Sequence, residues 1–104
     1  MKNIDEDFLA TKIVSNKNFA NSYQLCKVLA WKFDIINCNE VIKRIESQEF
    51  ITMTFPKNST MGLIHLTIKG MELLDERGTE VREILKKEFP NEIEFINNIF
   101  SSDL

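Results

Sequence analysis

The stretch of sequence that decides the fold spans residues 39–67 and consists of NEVIKRIESQEFITMTFPKNSTMGLIHLT. Over residues 39–48 the apolar side chains recur every three or four positions, which is the spacing of one face of a helix. Residues 50–55 instead alternate apolar and polar side chains and are rich in aromatic and β-branched types, as a strand is. A polar turn cluster at 56–62 separates this strand from a second one at 63–67. The stretch therefore predicts a helix followed by an antiparallel hairpin.

Apolar periodicity on both sides of this stretch predicts further helices. Residues 4–14 predict a short amphipathic helix, and residues 19–33 predict a helix that is apolar around most of its circumference and forms the centre of the core. In that helix Trp31 is expected to be buried. After the hairpin, Thr67 is expected to cap a long helix that Pro90 stops. The chain is thus mainly helical, with one hairpin in its middle.

Length and composition exclude several classes of protein. A chain of 104 residues has room for one domain, and 43% apolar with 28% charged residues is typical of a globular protein. No apolar run approaches the roughly 18–20 residues that cross a bilayer. The start is acidic and lacks an apolar run, so no signal peptide is expected. We expect a cytoplasmic protein, with Cys26 as a buried thiol and Cys38 as a free one. A disulfide between the two cysteines is possible but not needed.

The charges are unevenly distributed along the chain. The formal net charge is -3, and residues 71–104 contain four basic and nine acidic side chains, whereas each of the two preceding thirds has a net charge of +1. An anionic partner is therefore expected to bind the first two thirds of the chain.

Two segments carry a resemblance to a known family. Residues 41–51, VIKRIESQEFI, are similar to the recognition helix and first wing strand of the winged helix-turn-helix domains in bacterial regulators of the MarR and PadR kind. Residues 66–74, LTIKGMELL, resemble the LT-x-x-G-x-x-L-L pattern at the exit of the second wing strand. The resemblance implies an α+β fold, a mainly helical winged helix-turn-helix with a two-stranded antiparallel wing and extra terminal helices. It implies one domain over 1–104 with a core at about 18–75.

The chain departs from the family pattern at two places. Glu49 occupies the position before the first wing strand where the family usually has glycine. A complete further helix does not fit between Phe33 and Asn39. The sequence therefore predicts either a single turn around residues 34–38 or a break in the helix at 19–33.

The resemblance implies a DNA-binding protein and a transcriptional regulator, because an α-helix fits the major groove of duplex DNA and a hairpin wing reaches the adjacent backbone. The helix at 39–48 would enter the groove and the wing at 56–62 would contact phosphates. It also implies a homodimer formed by the terminal helices at 1–15 and 79–104. The candidate DNA-contacting residues are Lys43, Arg44, Ser47 and Gln48 on the helix and Lys57, Asn58, Ser59 and Thr60 on the wing.

A second hypothesis from another class remains open. The same fold can be an interaction module that binds protein instead of DNA, through the acidic C-terminal third. An enzyme is not expected, since His65 is the only histidine and no nucleophile has a base beside it. No metal or other cofactor is expected either, because Cys26, Cys38 and His65 lack a metal-ligand spacing. We expect His65 to be a solvent-facing or hydrogen-bonded strand residue.

Overall fold

The computed structural model describes residues 5–101. The start of the helix predicted at 4–14 and the last three residues of the chain lie outside that range. The helices and strands are α1 (Glu6–Val14), α2 (Ser22–Phe33), α3 (Cys38–Ser47), β1 (Ile51–Thr54), β2 (Leu63–Leu66), α4 (Ile68–Glu88) and α5 (Ile93–Ser101), with short 3-10 turns at Lys17–Phe19 and Pro90–Glu92.

The hairpin predicted from the change in apolar spacing is confirmed, and with it the α+β class. Strands β1 and β2 pair antiparallel, with Ile51 opposite Leu66 and Thr54 opposite Leu63. The short segment before α2 adds a bridge on the other side of β2, where the Ile64 N–H donates to the Ala20 carbonyl at 2.9 Å. This bridge fixes the start of α2 against the hairpin.

Helix α1, not α2, is the most deeply buried helix of the described chain. Every residue from Phe8 to Val14 is buried, including Lys12, whose stem and ammonium lie within the core with the Nζ 5.2 Å from the Phe100 ring centroid. Helix α1 contacts α2, α3, α4 and α5. The amphipathic pattern predicted the helix but not its central position, because a short helix surrounded by four others loses its outer face to their packing.

Helix α2 buries one face only, so the prediction that Trp31 lies in the core is wrong. The buried side chains are Leu25, Val28, Leu29 and Phe33, which share one stripe. Trp31 lies on the opposite side and is 76% exposed. A helix packed on one side can bury only the stripe facing the core, however many apolar residues it carries.

The backbone at the end of α3 explains how Glu49 can occupy the position where the family pattern usually has glycine. The Phe50 N–H donates to the Ile45 carbonyl at 3.0 Å and the Glu49 N–H donates to the Glu46 carbonyl at 3.0 Å, which is a Schellman motif. Glu49 therefore adopts a φ of 67°, the left-handed conformation for which glycine is preferred. The backbone keeps the glycine conformation although the side chain is glutamate.

Helix α4 begins as the LT-x-x-G pattern implies. The Thr67 hydroxyl accepts a hydrogen bond from the Gly70 N–H at 3.0 Å, so its predicted capping role is confirmed. A Cβ at Gly70 would clash with the Phe50 carbonyl oxygen. Glycine at this position lets the first turn of α4 lie directly against the segment that links α3 to β1.

The terminal helices pack within the chain. Helix α5 buries Ile96, Ile99 and Phe100, and the Phe33 ring lies 5.0 Å from that of Phe89 at the end of α4. Homodimerisation through the terminal helices stays a prediction, and it would have to use the side chains that these helices leave exposed, such as Ile84.

Candidate functional site

A four-residue link joins α2 to α3. It comprises residues 34–37 and contains no helical turn, so the first alternative, a single turn around residues 34–38, is wrong. The helix predicted at 19–33 is interrupted near its start: Phe19 ends a 3-10 turn, and α2 begins at Ser22. Asp34 ends α2 with a φ of 56°, in the left-handed region. Links as short as this one occur both in αα-hairpins and in helix-turn-helix motifs.

A disulfide also joins the two helices, which corrects the prediction of two free thiols. The Cys26 and Cys38 sulfurs are bonded, with their Cα atoms 5.4 Å apart. Cys26 lies in the middle of α2 and Cys38 is the first residue of α3. The spacing of twelve residues gave no signal by itself, because only the reversal of the chain at residues 34–37 brings the two positions together.

The outer face of α3 is exposed and electrically balanced. Lys43 and Ser47 both face solvent, and Lys43 forms no ion pair with any residue between 5 and 101. Glu40 and Glu46 are exposed on the same helix. With two basic and two acidic side chains, α3 carries no net charge, so any attraction for an anion depends on how its individual cations are oriented.

Arg44 and Gln48, two of the predicted DNA-contacting residues, are bonded to the start of α1. The Arg44 Nε donates to Asp7 Oδ1 at 2.9 Å and its Nη2 donates to Glu6 Oε1 at 3.2 Å, while Gln48 Nε2 donates to Asp7 Oδ2 at 3.1 Å. The hydrogen bond that Arg44 donates to Asp7, together with the negative charges of Asp7 and Glu6, raises the pKa of Arg44 above its ordinary value. Both carboxylates compensate the Arg44 charge and compete with a phosphate for it.

The loop between the two strands holds the other four predicted residues. Lys57, Asn58 and Thr60 are exposed and Ser59 is half-buried. The Ser59 hydroxyl accepts a hydrogen bond from the Met61 N–H at 3.1 Å, and Asn58 adopts a φ of 66°, which asparagine tolerates better than most residues. Lys57 is the one charged side chain of this loop, and it has no ion-pair partner within the described range.

One face of α2, the beginning of α3 and the hairpin loop line one open concavity of about 530 Å³. Sequence reasoning missed this site, because it placed the aromatic residues of α2 in the core. Two hydrogen bonds hold the start of α2 against the hairpin: the Ser22 N–H donates to the Gly62 carbonyl at 2.9 Å, and the Gly62 N–H donates to the Ser22 hydroxyl at 3.0 Å. The disulfide holds the start of α3 against α2. The lining includes Tyr23, Lys27, Trp31, Asn39, Thr60 and Met61.

His65 is exposed on β2, and its Nε2 lies 3.0 Å from the Thr54 hydroxyl on the neighbouring strand. The expectation of a hydrogen-bonded strand histidine is confirmed. Across residues 5–101, no three His, Cys, Asp or Glu side chains converge in a group that could hold a metal ion. In that same range no helix combines the length and the apolar character needed to cross a membrane.

Comparison of the chain with protein-family models, with curated proteins and with solved structures finds no match. The assignment of a function therefore depends on the geometry of the chain itself.

Proposed function

We propose that this chain is a winged helix-turn-helix protein that binds duplex DNA, with α3 in the major groove and the hairpin loop on the adjacent backbone. The observation that carries the proposal is the order of elements: α2, a four-residue link, α3 and then directly a two-stranded hairpin. In a helix-turn-helix the second helix enters the groove while the first crosses the phosphate backbone. A role as a transcriptional regulator, acting as a homodimer in the cytoplasm, belongs to the same proposal.

Exposure of most of the predicted contact residues supports this function. Lys43 projects from α3 and Lys57 from the hairpin loop, and neither is paired with a carboxylate among residues 5–101. Ser47 and Thr60 offer hydroxyls on the same two elements. Phosphate neutralisation by such cations supplies most of the affinity of a protein for DNA, and the polar side chains then contact base edges.

The test is binding to a mixed-sequence duplex, followed by fluorescence anisotropy at salt concentrations of about 50 and 200 mM. Two unpaired cations per chain predict a log–log salt slope of roughly -2 for a monomer and -4 for a dimer, from about -0.9 per phosphate contact. Lys43→Glu is expected to weaken binding and to reduce the magnitude of the slope by about 1 per chain.

The matched control is Lys87→Glu, which makes the same change of charge roughly 25 Å along α4 from Gly70, at 1.5 Å per residue. This variant is expected to bind the duplex as the parent does. Absence of salt-dependent binding in the parent, or equal losses in the two variants, would overturn the proposal.

One observation favours a second candidate, a winged-helix module that binds a protein. Glu6 and Asp7 compensate Arg44, so α3 presents fewer free cations than its sequence suggests. The exposed face of α4 meanwhile displays a row of carboxylates, at Glu72, Asp75, Glu76, Glu80 and Glu83. If the chain does not bind the duplex, the favoured function becomes the binding of a basic protein through the carboxylates of α4.

A further inference from the structure

An exposed ridge of alternating aromatic and basic side chains runs along α2. Tyr23, Lys27 and Trp31 are spaced four residues apart, so they lie on one face of the helix. The two aromatic residues are 61% and 76% exposed. The Lys27 Nζ lies between them, 4.6 Å from the Trp31 ring centroid and 5.9 Å from that of Tyr23. We call these three residues the α2 ridge.

Packing within the chain does not account for the two large rings of the α2 ridge, which lie on an exposed face. The buried stripe of α2 lies on the other side of the helix, and the ring pairs of the core involve phenylalanines instead. Tryptophan and tyrosine are the residues that contribute most at recognition surfaces, where a large flat ring gains contact area at little cost in conformational entropy. An exposed aromatic patch with polar neighbours therefore marks a binding surface.

The charge of this surface differs from that of the whole molecule. Although the chain has a net charge of -3, Lys27 is, among residues 5–101, the only charged residue that lines the concavity beside the α2 ridge. Asn39 contributes an amide with donors and an acceptor, and Thr60 contributes a hydroxyl. The site thus combines two flat rings, one cation and uncharged hydrogen-bonding groups.

We infer that the α2 ridge binds unpaired nucleotides of a DNA strand, with bases stacked on Trp31 and Tyr23 and the phosphate backbone between these bases beside Lys27. A nucleotide joins a flat ring to an anion, which is the combination that this surface matches. The two aromatic positions are about 12 Å apart along the helix axis, with the cation midway. Stacking of this kind tolerates any sequence, because every base has a π-face.

This inference rests on the proposed function, since it adds a single-strand site beside the surface proposed for the duplex. The concavity is lined by α2, by Asn39 at the start of α3 and by the hairpin loop. A strand that leaves the end of a duplex bound by α3 would therefore reach the α2 ridge directly. The substrate class that follows is DNA with an unpaired segment next to a duplex.

The test uses a labelled oligothymidylate of about ten nucleotides, a length within the usual range of single-strand sites. Trp31 is the only tryptophan, so quenching of its fluorescence reports stacking at the ridge itself. Trp31→Ala is expected to weaken binding of the oligonucleotide, measured by anisotropy, about tenfold or more. Trp31→Phe keeps a ring and is expected to recover most of that loss.

Two controls separate this site from the duplex surface. Phe55→Ala removes an exposed ring that does not line the concavity, and it is expected to leave oligothymidylate binding unchanged. Lys43→Glu is expected to weaken duplex binding while leaving single-strand binding intact. A parent chain that binds oligothymidylate but not the duplex would overturn the proposed function and not the single-strand site at the α2 ridge.

Two outcomes would overturn the inference. One is that the chain does not bind oligothymidylate, or binds it with the same affinity after Trp31→Ala. The other is that thymidine monophosphate quenches the Trp31 fluorescence with the same affinity as the oligonucleotide does, which would assign the site to a free nucleotide.

Discussion

Helices α2 and α3 end in the same way, but their exposed faces differ in chemical character. Each ends on an acidic residue in the left-handed conformation, Asp34 and Glu49, and the Cys26–Cys38 disulfide ties one to the other. The outer face of α3 is charged, and much of that charge is compensated. The outer face of α2 is aromatic and carries a cation that no carboxylate within residues 5–101 pairs with.

The difference arises from what lies beside each helix. Helix α1 packs against α3 and brings Glu6 and Asp7 to Arg44. The outer face of α2 borders the open concavity, and Tyr23 and Trp31 there face solvent. The availability of an exposed side chain for binding therefore depends on its neighbours in space as much as on its own chemical type.

The largest expected effect concerns the disulfide that joins the two helices. Replacing both cysteines, Cys26→Ser with Cys38→Ser, is expected to lower the free energy of unfolding by about 3 kcal/mol, because the unfolded chain regains the freedom of the closed loop. Urea denaturation of the parent with and without a dithiol reductant measures the same quantity. Two reactive thiols per chain in the unreduced parent would contradict this prediction.

The next largest effect concerns the charge of Arg44 on α3, which Glu6 and Asp7 compensate. Glu6→Gln combined with Asp7→Asn should release Arg44 and raise the affinity for duplex DNA about three- to tenfold, with a salt slope steeper by about 0.9 per chain. Glu72→Gln combined with Asp75→Asn is the control, since it removes two exposed carboxylates from α4. Equal gains from the two pairs would show a general effect of net charge and no specific role for the α1 carboxylates.

The two left-handed helix ends should differ in their response to glycine. Glu49→Gly is expected to raise the free energy of unfolding by about 0.5–1 kcal/mol, because it removes the contact between Cβ and the carbonyl oxygen. Asp34→Gly should gain less, since a short polar side chain tolerates this conformation. The urea midpoints of both variants measure the difference, and a loss of stability at Glu49→Gly would disprove the stated cause.

The smallest expected effect is the change in the free energy of unfolding when the α2 ridge is altered. Trp31→Ala should change the free energy of unfolding by no more than about 0.5 kcal/mol, as exposed positions usually do. Leu29→Ala, on the buried face of the same helix, should cost about 2–5 kcal/mol. Comparable losses would place Trp31 in a structural role and remove the argument for a binding surface.

Local signals predicted much of the fold. The hairpin, the helix before it and the Thr67 cap all depend on the spacing of nearby residues, and the structure confirms them. The strand-bridging segment before α2 escaped prediction, because two residues of pairing leave no periodic pattern. The left-handed position at Glu49 was indicated only by the family pattern, since glutamate itself gives no sign of that conformation.

The candidate site was less predictable than the fold. Exposure of Lys43 and of the hairpin loop followed from the helix face and the turn chemistry. The engagement of Arg44 with Asp7 spans 37 positions of sequence, and no local pattern reports it. The same holds for the exposure of Trp31, which depended on which side of α2 the rest of the chain would cover.

The positions of the helices and strands follow from local sequence, because backbone propensity, capping and apolar spacing act over a few residues. The covered faces, the pairing of the cysteines and the compensation of charges follow from the packing of the whole chain. These depend on contacts between segments far apart in the chain, whose relative positions emerge when the whole core packs at once.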